Sequence, residues 1–113
     1  MESFTKKEIV LFPFPYTDLS NRKLRPCLVL SEDLGDDVIL CQITSKRTKK
    51  DKYCVEIKKN NTLNGSLQLN SYVRCDMLFT AEKNQVIRKI CKIKDEDYEK
   101  VVYKIREIIK WCV

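Results

Sequence analysis

Three hydrophobic patterns alternate along this chain. Residues 8–14 (EIVLFPF), 27–30 (CLVL) and 38–43 (VILCQI) are almost unbroken apolar runs, rich in β-branched and aromatic side chains and too short for helices, so each predicts a strand. The second and third flank SEDLGDD, whose Gly35 and Asp residues signal a tight reversal, which predicts a hairpin buried on both faces. Residues 67–77 alternate strictly instead. Leu67, Leu69, Ser71, Val73, Cys75 and Met77 face one way, and Gln68, Asn70, Tyr72, Arg74 and Asp76 the other. Shorter strands are expected at 53–57 and 86–93, with a polar segment at 58–66 and a turn near 82–85.

The third pattern is helical. Tyr98, Val101, Val102, Ile105, Ile108, Ile109 and Cys112 form one apolar stripe suited to core or dimer packing. Asp95 stands where an N-cap belongs, acids cluster at the start (Glu96, Asp97, Glu99), and bases follow (Lys100, Lys104, Arg106, Lys110), matching the helix dipole. Pro13 and Pro15 predict that the first strand runs into a loop, FPFPYTDLSNRK, because proline cannot donate to a ladder. Several short strands and one terminal helix predict a mostly β, α+β chain, a small bent antiparallel barrel capped by the helix. At 113 residues, 1–113 reads as a single domain.

Charge narrows the partners. Twenty-two Lys and Arg against 16 Asp and Glu leave +6, which favours a polyanion such as nucleic acid or an acidic protein segment. Six cysteines form no CxxC pair and there is no His, so neither a zinc site nor a disulfide framework is suggested; they read as reduced core side chains of a cytosolic protein. No apolar run reaches the length of a signal h-region or membrane span, and a soluble, cytoplasmic protein with no membrane contact is expected.

Candidate chemistry gathers at the strand ends. Arg25 opens RPCLVLS, and Thr44 with Ser45 closes VILCQITSK. A guanidinium forks onto two phosphate oxygens and keeps its charge at physiological pH, and hydroxyls can donate to the same group. Arg22 and Lys23 in the first loop, and Lys46, Arg47, Lys49, Lys50 and Lys52 in the second, would rim a cleft formed by those ends, with Tyr16 and Tyr53 available to stack unpaired bases. Phe14 reads rather as core. Arg74 and Asp76, two apart on one strand face, can form an ion pair, and Asp76 is the candidate with a usable basic form.

Taken together, FPFPYTDLSNRKLRPCLVLS, DDVILCQITSK and SYVRCD resemble the PemK/MazF family of toxin endoribonucleases from type II toxin–antitoxin systems, over nearly the whole chain. Two departures are Lys7-Glu8, where the family usually has Gly-Asp, and Cys91, where a Gly is common. The resemblance implies an SH3-like barrel of the CcdB/MazF type. It also implies a homodimer that cleaves single-stranded mRNA without metal or other cofactor, silenced by a cognate antitoxin whose disordered segment occupies the RNA groove. Family catalytic residues fall on Arg25 and Thr44, and a second pair on Arg74 and Asp76. The alternatives are a CcdB-like gyrase-binding poison, of whose C-terminal Trp-Gly-Ile the sequence Trp111-Cys112-Val113 is a faint echo, and a non-catalytic partner-binding relative.

Overall fold

A computed structural model describes residues 3–15, 22–46 and 52–111. Seven strands are followed by a helix: β1 Glu8–Pro15, β2 Arg22–Val29, β3 Asp37–Thr44, β4 Cys54–Ile57, β5 Thr62–Leu63, β6 Ser71–Glu82, β7 Arg88–Ile93 and α1 Asp95–Ile109. The strands form one antiparallel sheet in the order β4-β6-β3-β2-β1-β7-β5, which curls into a nearly closed barrel.

The unbroken apolar runs have a simple cause. Ile9, Leu28, Cys41 and Ile43 belong to one buried cluster, and their neighbours Val10, Cys27, Val29 and Leu40 to another on the opposite face. Successive side chains point to opposite faces, so a strand buried on both must be apolar throughout. The first cluster is closed by Val101, Tyr98 and Ile105 of α1. The second is closed by Phe4 and an edge-to-face trio, Phe12, Phe14 and Phe79, with centroids 5.3–5.4 Å apart. Phe14 is therefore core, as the sequence suggests.

Four details differ from the sequence reading. The two prolines do not end β1, which pairs with β2 as far as Pro15↔Arg22. The Leu11 carbonyl accepts from Ile87 on the β7 side, so Pro13 and Pro15 face that side too, beyond the last β1–β7 pair at Leu11↔Arg88. Their missing N–H groups break no ladder bond. The alternating segment becomes a strand only at Ser71 and then runs on to Glu82; Leu69 is 61% exposed and Met77 43%, against the face assigned to them. Leu69 precedes the strand, and a bulge displaces Met77: Cys41 pairs Leu78 but Ile43 pairs Val73, so the four residues Arg74 to Met77 stand opposite Gln42 alone. The polar segment holds a two-residue strand, β5, on the edge of β7.

Asp95, finally, is not the cap. Lys94 is the N-cap residue and Asp95 the first helical one, and its carboxylate bonds the Lys7 ammonium at 2.6 Å. Lys7 itself has φ +81°, a conformation that suits glycine. The departure from the family's Gly at this turn therefore leaves the turn in place with a lysine in a left-handed backbone, held by main-chain bonds to Val29 and Ile93.

Candidate active site

The β2–β3 register pairs Cys27 with Gln42, Leu28 with Cys41 and Val29 with Leu40. The ladder ends at Cys27↔Gln42, and continuing its register by two residues would bring Arg25 level with Thr44. Both line one cleft of about 530 Å³. Its walls are Lys23 to Pro26 of β2, Ile43 and Thr44 at the end of β3 with Ser45 beyond, the segment Ser66 to Leu69 with Ser71, and Leu11, Arg88 and Ile90 of β1 and β7. Among the described residues the lining contains Lys23, Arg25 and Arg88 and no carboxylate. In so shallow a low-dielectric recess, cations of one sign reinforce one another and attract anions.

Thr44 is held by a local turn, its Oγ1 accepting from the Lys46 backbone N–H at 3.1 Å. Because that bond uses an oxygen lone pair, the hydroxyl proton stays available to donate into the cleft. The wall at 66–69 is set by close contact. Thr62 Oγ1 donates to the Gly65 carbonyl at 2.6 Å, the Leu67 N–H to Lys59, and Gly65 packs on the Ile90 carbonyl where β7 bulges against β1.

The other expected site residues lie elsewhere. Arg74 and Asp76 sit on the β6 bulge, one strand beyond Thr44, their side chains about a third exposed and joined at 3.4 Å; neither lines the cleft. Tyr53 precedes the edge strand β4, its ring 5.2 Å from the Lys52 ammonium, and it too is outside the cleft. Ser45 does line it, whereas Lys46 is exposed beside it and contributes its backbone N–H to Thr44. Tyr16 and Arg47, with Lys49 and Lys50, lie outside the described residues, as does the Arg22 side chain. Arg88 is the cleft residue that sequence reasoning missed.

A larger groove of about 1480 Å³ lies between α1 and β4, but among the described residues its lining carries four carboxylates (Glu56, Glu96, Asp97, Glu99) and four cations (Lys58, Lys100, Lys104, Arg106), so its charges cancel. Burial pushes the Cys27 and Cys75 thiols up to about 12, and those of Cys41 and Cys91 also upward, so these cysteines are inert protonated core groups. Among the described residues, no three His, Cys, Asp or Glu side chains cluster as metal ligands would, and no helix is long and apolar enough to cross a membrane.

A model of the PemK-like, MazF-like toxins of type II toxin–antitoxin systems matches residues 5–109. The chain belongs to that family. Solved structures agree in fold. A mycobacterial endoribonuclease in complex with its cognate antitoxin superposes at TM-score 0.74, with 14% identity over 100% of this chain and 99% of that one. MazE-MazF from Deinococcus radiodurans gives TM-score 0.76, with 18% identity over 99% and 100%. The Mycobacterium tuberculosis toxin MazF-mt6 gives 0.67, with 18% identity over 92% and 99%. No curated protein matches the chain in sequence.

Proposed function

We propose that this toxin is an endoribonuclease acting on single-stranded mRNA, sequence-selectively and without a metal, as a homodimer that a cognate antitoxin silences. The observation that carries the reading is that Arg25 and Thr44, 19 positions apart in the chain (44 − 25), line one cleft that bears three cations and no carboxylate among the described residues. Supporting it are the family, and relatives that are an endoribonuclease with its antitoxin and a MazE-MazF complex.

With no metal to activate water, the nucleophile assigned is the RNA's own 2′ oxygen, which already lies beside the scissile phosphorus. The 2′ oxygen bonds to phosphorus, the P–O5′ bond breaks, the 2′ proton passes to a base and O5′ takes a proton, leaving a 2′,3′-cyclic phosphate and a 5′-OH end. Arg25 is assigned the charge that builds on the non-bridging oxygens, and the Thr44 and Ser45 hydroxyls donate to the same phosphate. Asp76, paired with Arg74 one strand further across the sheet and outside the cleft lining, is assigned removal of the 2′ proton, which requires the RNA to pass from the cleft over the β6 bulge. Lys23 and Lys46 are assigned flanking phosphates, as are Arg22 and Arg47, and Tyr16 and Tyr53 are assigned the stacking of unpaired bases.

Incubating the purified chain with a defined RNA in EDTA, then mapping ends, tests this. Cyclic phosphate and 5′-OH termini at a repeated short motif are expected. Intact RNA, or cleavage that EDTA abolishes, contradicts it.

A further inference from the structure

We propose that Arg88 is a second phosphate-binding residue of the cleft, gripping a phosphate that neighbours the one at Arg25; this rests on the endoribonuclease reading above. Arg88 opens β7 opposite Leu11, while Arg25 stands opposite Phe12 across the other edge of β1. Their backbones are thus two strand spacings apart, about 10 Å. Leu11 and Phe12 are consecutive, so their cross-strand partners Arg88 and Arg25 belong to opposite faces of the sheet, yet both line the cleft. That separation suits contacts to two different phosphates of one strand rather than one phosphate clamped by both.

Charge accounting points the same way. The neighbouring cations already have structural work: Lys89 pairs Glu8 at 3.0 Å, Lys83 pairs Asp33 at 3.1 Å and Lys7 pairs Asp95. Arg88 and Lys23 have no ion pair with a carboxylate among the described residues. Two such cations lining a cleft with no carboxylate among its described residues attract an anion, and one with a charge at every repeat is the ligand that engages both. Between them lies an apolar floor of Leu11, Leu24, Leu67 and Ile90, flanked by Ser66 and Gln68. Bases can rest on that floor while the hydroxyl and the amide reach their edges.

The test uses the full chain and a random-sequence 2′-O-methyl oligoribonucleotide, which lacks the attacking hydroxyl, titrated between about 50 and about 200 mM salt. Arg88→Gln should lower the slope of log K against log salt by about 0.7, one phosphate's worth on a single strand, and weaken low-salt binding roughly fivefold to tenfold. Arg88→Lys should restore the slope, since counterion release counts charge. On cleavable RNA the loss should fall in KM rather than kcat, and Lys23→Gln should act in the same direction. A wild-type chain that binds and cleaves RNA while Arg88→Gln matches it in slope and KM overturns the Arg88 assignment alone. A wild-type chain that neither binds nor cleaves overturns the nuclease reading beneath it. If Arg88→Gln weakens capture of an acidic peptide but not of the oligonucleotide, the assignment to RNA is overturned.

Discussion

Gly65→Ala isolates the contact that sets the 66–69 wall of the cleft. Gly65 has φ +139°, and an added Cβ would lie 2.4 Å from the Ile90 carbonyl oxygen and 3.3 Å from Cys91 Cβ. The first distance is to backbone, so the β5–β7 edge must move. Gly35 provides the control, because its φ is +64° and nothing lies within 4 Å of its Cβ position. Alanine at Gly35 meets only left-handed strain, about 1–2 kcal/mol, offset by a few tenths from a stiffer unfolded chain. Alanine at Gly65 meets a backbone conformation that side chains rarely adopt, about 1–3 kcal/mol, and an overpacking shift of about 1–3 kcal/mol. Gly65→Ala should therefore cost about 2 kcal/mol more than Gly35→Ala, a sizeable share of the ~5–15 kcal/mol available to a small protein. Urea unfolding with reductant, read as midpoints at equal slope, measures the difference. RNA cleavage should suffer at Gly65 alone, because Ser66 to Leu69 follow it directly. Equal midpoints for the two variants would refute the close approach to β7.

Three further expectations follow from the charges. Buried thiols held at about 12 in the folded chain (Cys27, Cys75) ionise near 8.5 when unfolded, so their stabilisation is complete below about pH 8.5 and is lost as pH rises, by about 1.4 kcal/mol per pH unit for each thiol. Urea titrations from pH 8 to 10 in reductant should show the decline, shallower in Cys27→Ala, and a flat profile contradicts it. The Phe4 backbone N–H, then the Lys83 ammonium, hold Asp33 below the usual carboxylate range; that contribution exists above about pH 4 and disappears as pH falls further, so Asp33→Asn should flatten the acid limb of a Tm–pH curve. A carboxylate–guanidinium pair a third exposed contributes at most about 1 kcal/mol, so Asp76→Asn should barely move Tm yet slow single-turnover cleavage at least tenfold; a loss of Tm without a loss of rate would make the pair structural.

Local rules made the central strands and the helix legible. Ile9-Val10 and Cys27-Leu28-Val29 announce burial on two faces because no polar residue interrupts them, and the Tyr98 to Ile105 stripe meets the core as its period requires. Thr44 was readable as a strand end with chemistry, whereas Arg25, expected to open its strand, lies three residues inside β2 because β1 extends the ladder to Pro15↔Arg22; both line one cleft. What escaped the sequence is non-local. The β6 bulge shifts register because Arg74 to Met77 must bridge pairing with β4 and with β3, a demand that appears in no short window. β5 exists because β7 offers it an edge, not because Thr62-Leu63 insists on extension. Arg88 joins the site through a pairing of β1 with β7, nearly 80 positions apart (88 − 11 = 77), and its only local signal is an arginine opening an apolar strand.

Single-turnover cleavage by Arg25→Ala and Thr44→Val, with binding of the 2′-O-methyl oligonucleotide followed alongside, tests the central claim most directly. If the cleft that Arg25 and Thr44 line breaks the phosphodiester, Arg25→Ala should slow the step by about 10²–10³, as loss of a transition-state charge donor does, and Thr44→Val by at least tenfold, with folded protein and measurable RNA binding retained. Wild-type rates in both variants would contradict it.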